Sequence, residues 1–383
     1  MADIYRLRNQ IKHYEWGSPE VIPRFLGVEN AERLPCAEMW MGTHSGAPSQ
    51  VYAGENRISL AEAAGGELPF LFKLIAAEKP LSIQAHPNLA QAAAGFEREN
   101  KAGLALDDPR RNYKDANHKS EILCAITPFT VMAGFREPAE IKKNLEALTA
   151  AAPPLGEIFL PLLRAIETGS LADFFHALFK LSKQEREELG VSVKGVCETC
   201  GTVISGGQWK LMKNFAAQYP EDAAVISPLY LNLFTLESGQ AMFVPAGALH
   251  AYINGFGVEL MASSDNVLRG GLTSKHVDIG ELMNILNFNP FMPEIITPPV
   301  SSTWFRYPAP CGDFSLSLIR GCGEKKVFPE SGPAVCVVTE GELDAGGETF
   351  KKGESFFVPK AGRGAQTLVL GGNYSLFAAC ASP

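Results

Sequence analysis

Residues Gly239 to Asn254 read G-Q-A-M-F-V-P-A-G-A-L-H-A-Y-I-N. Two short apolar runs flank a Pro-x-Gly turn, which predicts a strand, a tight turn and a second strand opening on His250. That arrangement aims an imidazole into a β-barrel. Earlier in the chain Gln84-Ala85-His86 follows the apolar run Leu81-Ser82-Ile83, and residues two apart on a strand share a face. Glu121 in His118-Lys119-Ser120-Glu121 adds a carboxylate just before the strand-like run Ile122 to Ile126. Two imidazoles, one carboxylate and one neutral amide oxygen, at Gln84, His86, Glu121 and His250, suit a divalent cation of borderline softness, zinc foremost.

At 383 residues with 46% hydrophobic composition, the chain has more than one hydrophobic core's worth of sequence and folds as two or three packed units. Its 34 basic and 42 acidic residues give a net charge of −8 without blocks of like sign, so neither nucleic acid nor anionic lipid is an expected partner. The start Met1 to Arg6 lacks a secretory pattern, and no apolar run approaches the roughly 18 residues of a membrane span. Eight scattered cysteines suit reduced thiols, and Cys197-x-x-Cys200 lacks the second pair of a zinc ribbon. A cytoplasmic protein, monomeric or weakly homo-oligomeric, is the expectation.

The fold class follows from how patterns change along the chain. Short β-rich runs fill the region from Ser49 to Ala133, a stretch rich in Ala, Leu, Glu and Lys opens at Pro138, and strands resume near Leu229. Gly353-Glu-Ser-Phe-Phe-Val-Pro359-Lys-Ala-Gly362 echoes the Gly239 motif, with Arg363 and Gly364 where the histidine would fall. Repetition of this kind predicts two barrels of one type, the second without metal. The expected fold is therefore mainly β with an α insert: a discontinuous catalytic barrel over 1–135 and 225–300, a helical insert over 136–224, and a metal-free barrel over 301–383.

The spacing Gly-x5-Pro-x-Gly-x2-His-x3-Asn resembles the second motif of the cupin superfamily, whose barrels are double-stranded β-helices. Leu68 to Leu74, Pro80 to Asn88, Asn112 to Glu121, His13 to Ser18, Ala37 to His44 and Pro245 to Asp278, in order, resemble the type I mannose-6-phosphate isomerase family. The resemblance implies a zinc ion held by Gln84, His86, Glu121 and His250, with Arg269 in the active site. It also implies interconversion of mannose 6-phosphate and fructose 6-phosphate. Ser120 departs from the family pattern, which carries proline there, and frees a φ angle in the loop.

An aldose–ketose isomerisation passes through a cis-enediol(ate), whose growing negative charge a metal and a fixed cation stabilise. Arg269 suits that electrostatic role. Lys119 beside a dication is the candidate proton shuttle, with Asp265 its rival. His118 is a candidate for assisting ring opening, Ser82, Lys275 and Arg269 for holding phosphate, and Trp16, Trp40 and Tyr252 for lining the sugar site. Two other functions fit a cupin shell: a different metal-dependent enzyme, either an isomerase acting on another sugar or a dioxygenase, the latter ordinarily offering more histidine ligands, and a non-catalytic sugar-phosphate binder, which would lack this residue set.

Overall fold

The computed structural model describes residues 4–53, 56–196, 204, 206–328, 332–360 and 367–382. One strand, His250–Ala262, organises the first of two sheets because it takes part in two sets of pairings. Its first half pairs antiparallel with Phe129–Phe135 and with Gln84, and its second half lies between Phe70–Ala77 and Glu121–Ala125. The register slips between Tyr252 and Asn254, a bulge that shifts the in–out alternation by one residue. Before it, Ala251 and Ile253 join the core under the helices. After it, Phe256, Val258, Leu260 and Ala262 face the other sheet, leaving Glu259 and Met261 to line a cavity. Gly255 makes the bend possible: at φ +147° its backbone passes so close to Phe129 that a Cβ would sit 2.5 Å from the ring.

The same alternation sorts the neighbouring strands. Phe70, Phe72 and Leu74 point into the apolar core shared with the other sheet, whereas Leu71 and Lys73 point into the cavity. In Glu38–Gly42, Met39 and Met41 pack into that core while Glu38 and Trp40 face the cavity. Burial on both faces explains why these strands read as nearly continuous apolar runs.

The other sheet contains Phe314–Cys322, Val369–Ala381, Ala334–Ala345 and Ser355–Val358, and it recruits strands from the opposite end of the chain. Tyr5–Arg8 pairs antiparallel with Ser355–Val358 through Tyr5 and Arg6, and with Gln50–Ala53 through Leu7 and Arg8. The core between the sheets accordingly mixes Phe72 and Leu260 with Val335, Phe357 and Phe377.

Helices Pro138–Ala151, Leu155–Thr168, Leu171–Phe179, Lys183–Gly195 and Gly206–Gln218 intervene between the strands Phe129–Phe135 and Leu231–Leu236. Capping boxes at Ser170/Asp173 and Ser182/Glu185 start two of them. Their apolar faces meet in a core that includes Leu145, Phe159, Phe174, Phe215 and Tyr230. The mainly β reading with a helical insert and cupin-type sheets describes this architecture. The expected strand Leu81 to His86 is shorter, Gln84–Ala85 alone, because Leu81 and Ile83 give their N–H groups to loop and strand carbonyls at Tyr252 and Gly271. Arg363, Gly364, Cys197 and Cys200 lie outside the described residues.

Phe357 is fully buried in the core between the sheets, so Phe357→Ala should destabilise the protein by about 3–5 kcal/mol in urea denaturation. A loss below about 1 kcal/mol would show that this core contributes little to holding the sheets together.

Candidate metal centre and active site

Gln84 sits between His250 on one neighbouring strand and Arg269 on the other, each directly opposite it in register. Directly opposed residues of antiparallel strands share a face, so the three side chains form a row across the barrel wall. His250 owes its position to the turn before it. Gly247 adopts φ +76°, and a Cβ there would lie 2.7 Å from the Ile285 carbonyl, which leaves glycine as the fitting residue. His86 follows the strand Gln84–Ala85, and Glu121 opens the strand Glu121–Ala125.

His86, Glu121 and His250 converge, with one donor atom from each lying within 4.8 Å of the others. His86 Nε2 is 3.3 Å from Glu121 Oε1, and His250 Nε2 is 3.5 Å from Glu121 Oε2. The outer ring nitrogens are fixed by backbone carbonyls, His86 Nδ1 on Asn266 at 2.8 Å and His250 Nδ1 on Ala248 at 2.9 Å. That pattern directs both Nε2 atoms at one point. His250 Nε2 is buried and makes no hydrogen bond, an orphaned acceptor of the kind a metal ion satisfies. Burial, followed by Lys119, pushes the His86 imidazole down to about 4, so it stays a neutral ligand. Burial alone would raise Glu121, but Lys119 and His86 outweigh it and hold the carboxyl well below the usual range. The donor set of nitrogen and carboxylate oxygen, with the Gln84 amide beside it, fits zinc.

The cavity above this cluster has a volume of about 660 Å³. Lys119, Asp265, Ser82, Lys275 and Arg269 line it, as do Trp16 and Trp40. Lys119 Nζ contacts the Glu121 carboxylate and lies 3.4 Å from His86 Nε2. Asp265 Oδ2 is 3.3 Å from His44 Nε2, and the hydrogen bond from His44 lowers its pKa. The side chains of Arg269 and Lys275 have no hydrogen-bonding or ion-pair partner among the described residues. Burial lowers both pKa values, and for Lys275 the Arg269 charge adds to the effect. Two unpaired cations side by side make an anion site.

Two expected residues fall elsewhere. His118 does not line the cavity: its Nε2 is 2.8 Å from Asp313 Oδ2, in the segment leading into the other sheet. Tyr252 lies beneath the cavity and donates its hydroxyl to Glu121 Oε2 at 3.1 Å, which orients the carboxylate instead of touching a sugar.

The structure adds residues that motif reading passed over. Lys73 is buried between Glu259, at 2.8 Å, and Glu38, at 3.7 Å, while Trp40 Nε1 donates to Glu38 at 2.6 Å. Although burial opposes its charge, the two carboxylates raise the Lys73 pKa. Burial raises that of Glu259 against the pull of Lys73. The available clue was a charged residue at a regular place inside each of three apolar strands. Asp222 comes from the end of the helical region and accepts hydrogen bonds from Leu272 N at 2.6 Å and Ala224 N at 2.9 Å. Leu272 is held at φ +53° and Gly271 at φ +119°, so the half-buried Asp222 carboxylate pins the strained turn between Arg269 and Lys275.

Comparison with known proteins agrees with this site. The family described as "Phosphomannose isomerase type I, catalytic domain" matches residues 4–138. Mannose-6-phosphate isomerase of Salmonella typhimurium is 35% identical over 375 residues, covering 92% of this chain and 94% of its own length. The Homo sapiens mannose-6-phosphate isomerase is 33% identical over 321 residues, 75% of this chain and 74% of that one. A crystal structure of the Salmonella typhimurium enzyme bound to its substrate fructose 6-phosphate and to zinc superposes with a TM-score of 0.87 at 33% identity, covering 100% of both chains. Agreement that spans both sheets and the helices between them, at this level of identity, makes the chain a member of the mannose-6-phosphate isomerase family.

Proposed function

We propose that the chain interconverts mannose 6-phosphate and fructose 6-phosphate as a zinc-dependent aldose–ketose isomerase. The observation that carries the reading is the row His250, Gln84, Arg269, which sets a metal-binding cluster directly beside an unpaired cation in one cavity. The Salmonella typhimurium relative, crystallised with fructose 6-phosphate and zinc, supports the choice of substrate and metal.

Gln84, His86, Glu121 and His250 would hold the zinc, which when bound supplies a Lewis acid beside the sugar oxygens. Isomerisation moves one proton between C1 and C2 and another between O1 and O2. Negative charge therefore grows on the oxygens as the cis-enediolate forms. Arg269, always protonated and adjacent to Gln84, stabilises that charge more than it stabilises the neutral sugar. Lys119, at the metal end of the cavity, carries the proton between the carbons. Asp265, kept anionic by His44, orients sugar hydroxyls. Lys275 and Ser82 receive the phosphate, with Trp16 and Trp40 along the sugar.

The chain divides, on this reading, into a catalytic unit of 1–135 and 225–300, a helical insert of 136–224 and a metal-free unit of 301–383, with Tyr5–Arg8 lent by the first to the sheet of the last. Cys36, Cys124, Cys311 and Cys322 are free thiols, which supports a cytoplasmic location. No helix among the described residues is long and apolar enough to cross a membrane. We take the working form to be a monomer or a weak homo-oligomer.

Chelation should abolish turnover of mannose 6-phosphate in a coupled assay, with recovery on adding zinc; failure to recover, with the fold intact by circular dichroism, would refute the activity. His250→Ala should leave the cluster unable to retain stoichiometric zinc by elemental analysis. Replacing Arg269 with alanine should lower kcat/KM by about 10²–10³ while zinc content stays at wild type, the size of one lost charge-stabilising donor. Asp222→Ala, which frees the turn before Lys275, should raise KM for the sugar phosphate by about 10- to 100-fold, as for one charge-assisted hydrogen bond. Wild-type KM would show that the turn holds its shape without Asp222.

A further inference from the structure

A second group of metal-ligating side chains lies outside the cavity. His118, Cys311 and Asp313 each offer a donor atom, and these atoms lie within 4.8 Å of one another. His118 Nε2 is 2.8 Å from Asp313 Oδ2, and Cys311 Sγ is 3.3 Å from the same oxygen. All three residues are partly buried. They come from distant parts of the chain: His118 stands three residues before Glu121, and Cys311 and Asp313 precede the strand Phe314–Cys322 of the other sheet.

Three features distinguish this group from an ordinary ion pair. First, the His118 ring is held in place: Nδ1 accepts the Ser120 N–H at 3.2 Å and lies 3.1 Å from Ser120 Oγ, so Nε2 faces the other two donors, and ligation moves the ring proton from Nε2 to Nδ1, where Ser120 Oγ accepts it. Ser120 is the residue that stands where the family motif carries proline, and proline has no hydroxyl to supply this contact. Second, the spacing is right. Zinc bonds of about 2.0 Å to nitrogen and oxygen and about 2.3 Å to sulfur place neighbouring tetrahedral donors roughly 3.3–3.7 Å apart, a small adjustment from the observed distances. Third, the charges balance: one thiolate and one carboxylate neutralise a dication, with a neutral imidazole as third ligand.

We propose that His118, Cys311 and Asp313 form a second, structural site for zinc or a similar borderline divalent cation, joining the Glu121-bearing segment to the C-terminal sheet. The donor set of nitrogen, sulfur and carboxylate oxygen selects such cations over magnesium or calcium. Binding breaks the Cys311 S–H bond and releases that proton to solvent. A solvent molecule completes the fourth position.

The test uses the full-length protein, loaded with zinc and dialysed against a buffer holding nanomolar free zinc. Elemental analysis should find two zinc ions per chain in wild type and one in both Cys311→Ser and Asp313→Asn, with turnover within twofold of wild type. Because the first cluster contains no sulfur, cobalt-loaded protein should show a near-ultraviolet thiolate-to-cobalt band that disappears in Cys311→Ser. The band should persist when Cys197 and Cys200 are both changed to serine. A single zinc in wild type, or a band that survives Cys311→Ser, overturns the proposal. Neither readout depends on isomerase activity, so failure here is distinguishable from failure of the proposed function.

Discussion

A carboxylate sealed from water must be answered by positive charge or by protonation, and the Glu121 side chain is fully buried. Around it the fold assembles His86, His250, Lys119 and the Tyr252 hydroxyl. Glu38 and Glu259, answered by Lys73, extend the same buried array. Three carboxylates against two lysines leave this region with a formal charge of −1, and a dication carries it to one positive. Next to it stand Arg269 and Lys275, unpaired among the described residues and partly desolvated. A sugar phosphate is the kind of ligand such a gradient draws in, with its anionic end toward the free cations and its neutral oxygens toward the metal cluster.

How much of this could be read from the chain depended on the range of the interaction. The metal cluster was legible because turn chemistry is local: Pro245, Gly247 and His250 specify a turn and the strand start that follows it, and alternation ties Gln84 to His86. The helical insert was legible for a related reason, because the change to a stretch rich in Ala, Leu, Glu and Lys at Pro138 is also local. Lys73, Glu38 and Glu259 were not, although each sits conspicuously inside an apolar strand. Their partnership depends on which strands are neighbours, and register across 186 residues, as between Lys73 and Glu259, leaves no trace in local pattern. His118 shows the converse error. Proximity in sequence to Glu121 suggested the cavity, but the backbone carries alternate side chains to opposite faces, and Asp313 waits on the far one.

The bulge in His250–Ala262 bears on both halves of the chemistry. Without the one-residue slip, His250 and Glu259 would have opposite parity and could not both face the barrel interior. With it, one strand contributes a metal ligand near one end and a buried carboxylate near the other, while its outer face packs first against helices and then against the second sheet. The strand therefore links three bodies of structure through side-chain direction alone, and that direction changes across the bulge that begins between Tyr252 and Asn254.

The helical region and the C-terminal sheet contribute to the site through this scaffold and not as ligands to the metal cluster. Asp222 reaches from the helices to hold a left-handed leucine in the turn between two cations. The strain stored there is of the kind that persists only when surrounding contacts impose it, and here one half-buried carboxylate imposes it from a separate layer. The C-terminal sheet bears on the opposite side of the cluster, through the core behind Ile122 and Leu260. Clamping the Glu121 strand from behind while a helix end sets the loop in front fixes the distance between metal cluster and anion site. That distance is what an isomerase acting on a phosphorylated sugar has to hold constant, because its reacting carbons and its phosphate lie at opposite ends of one small molecule.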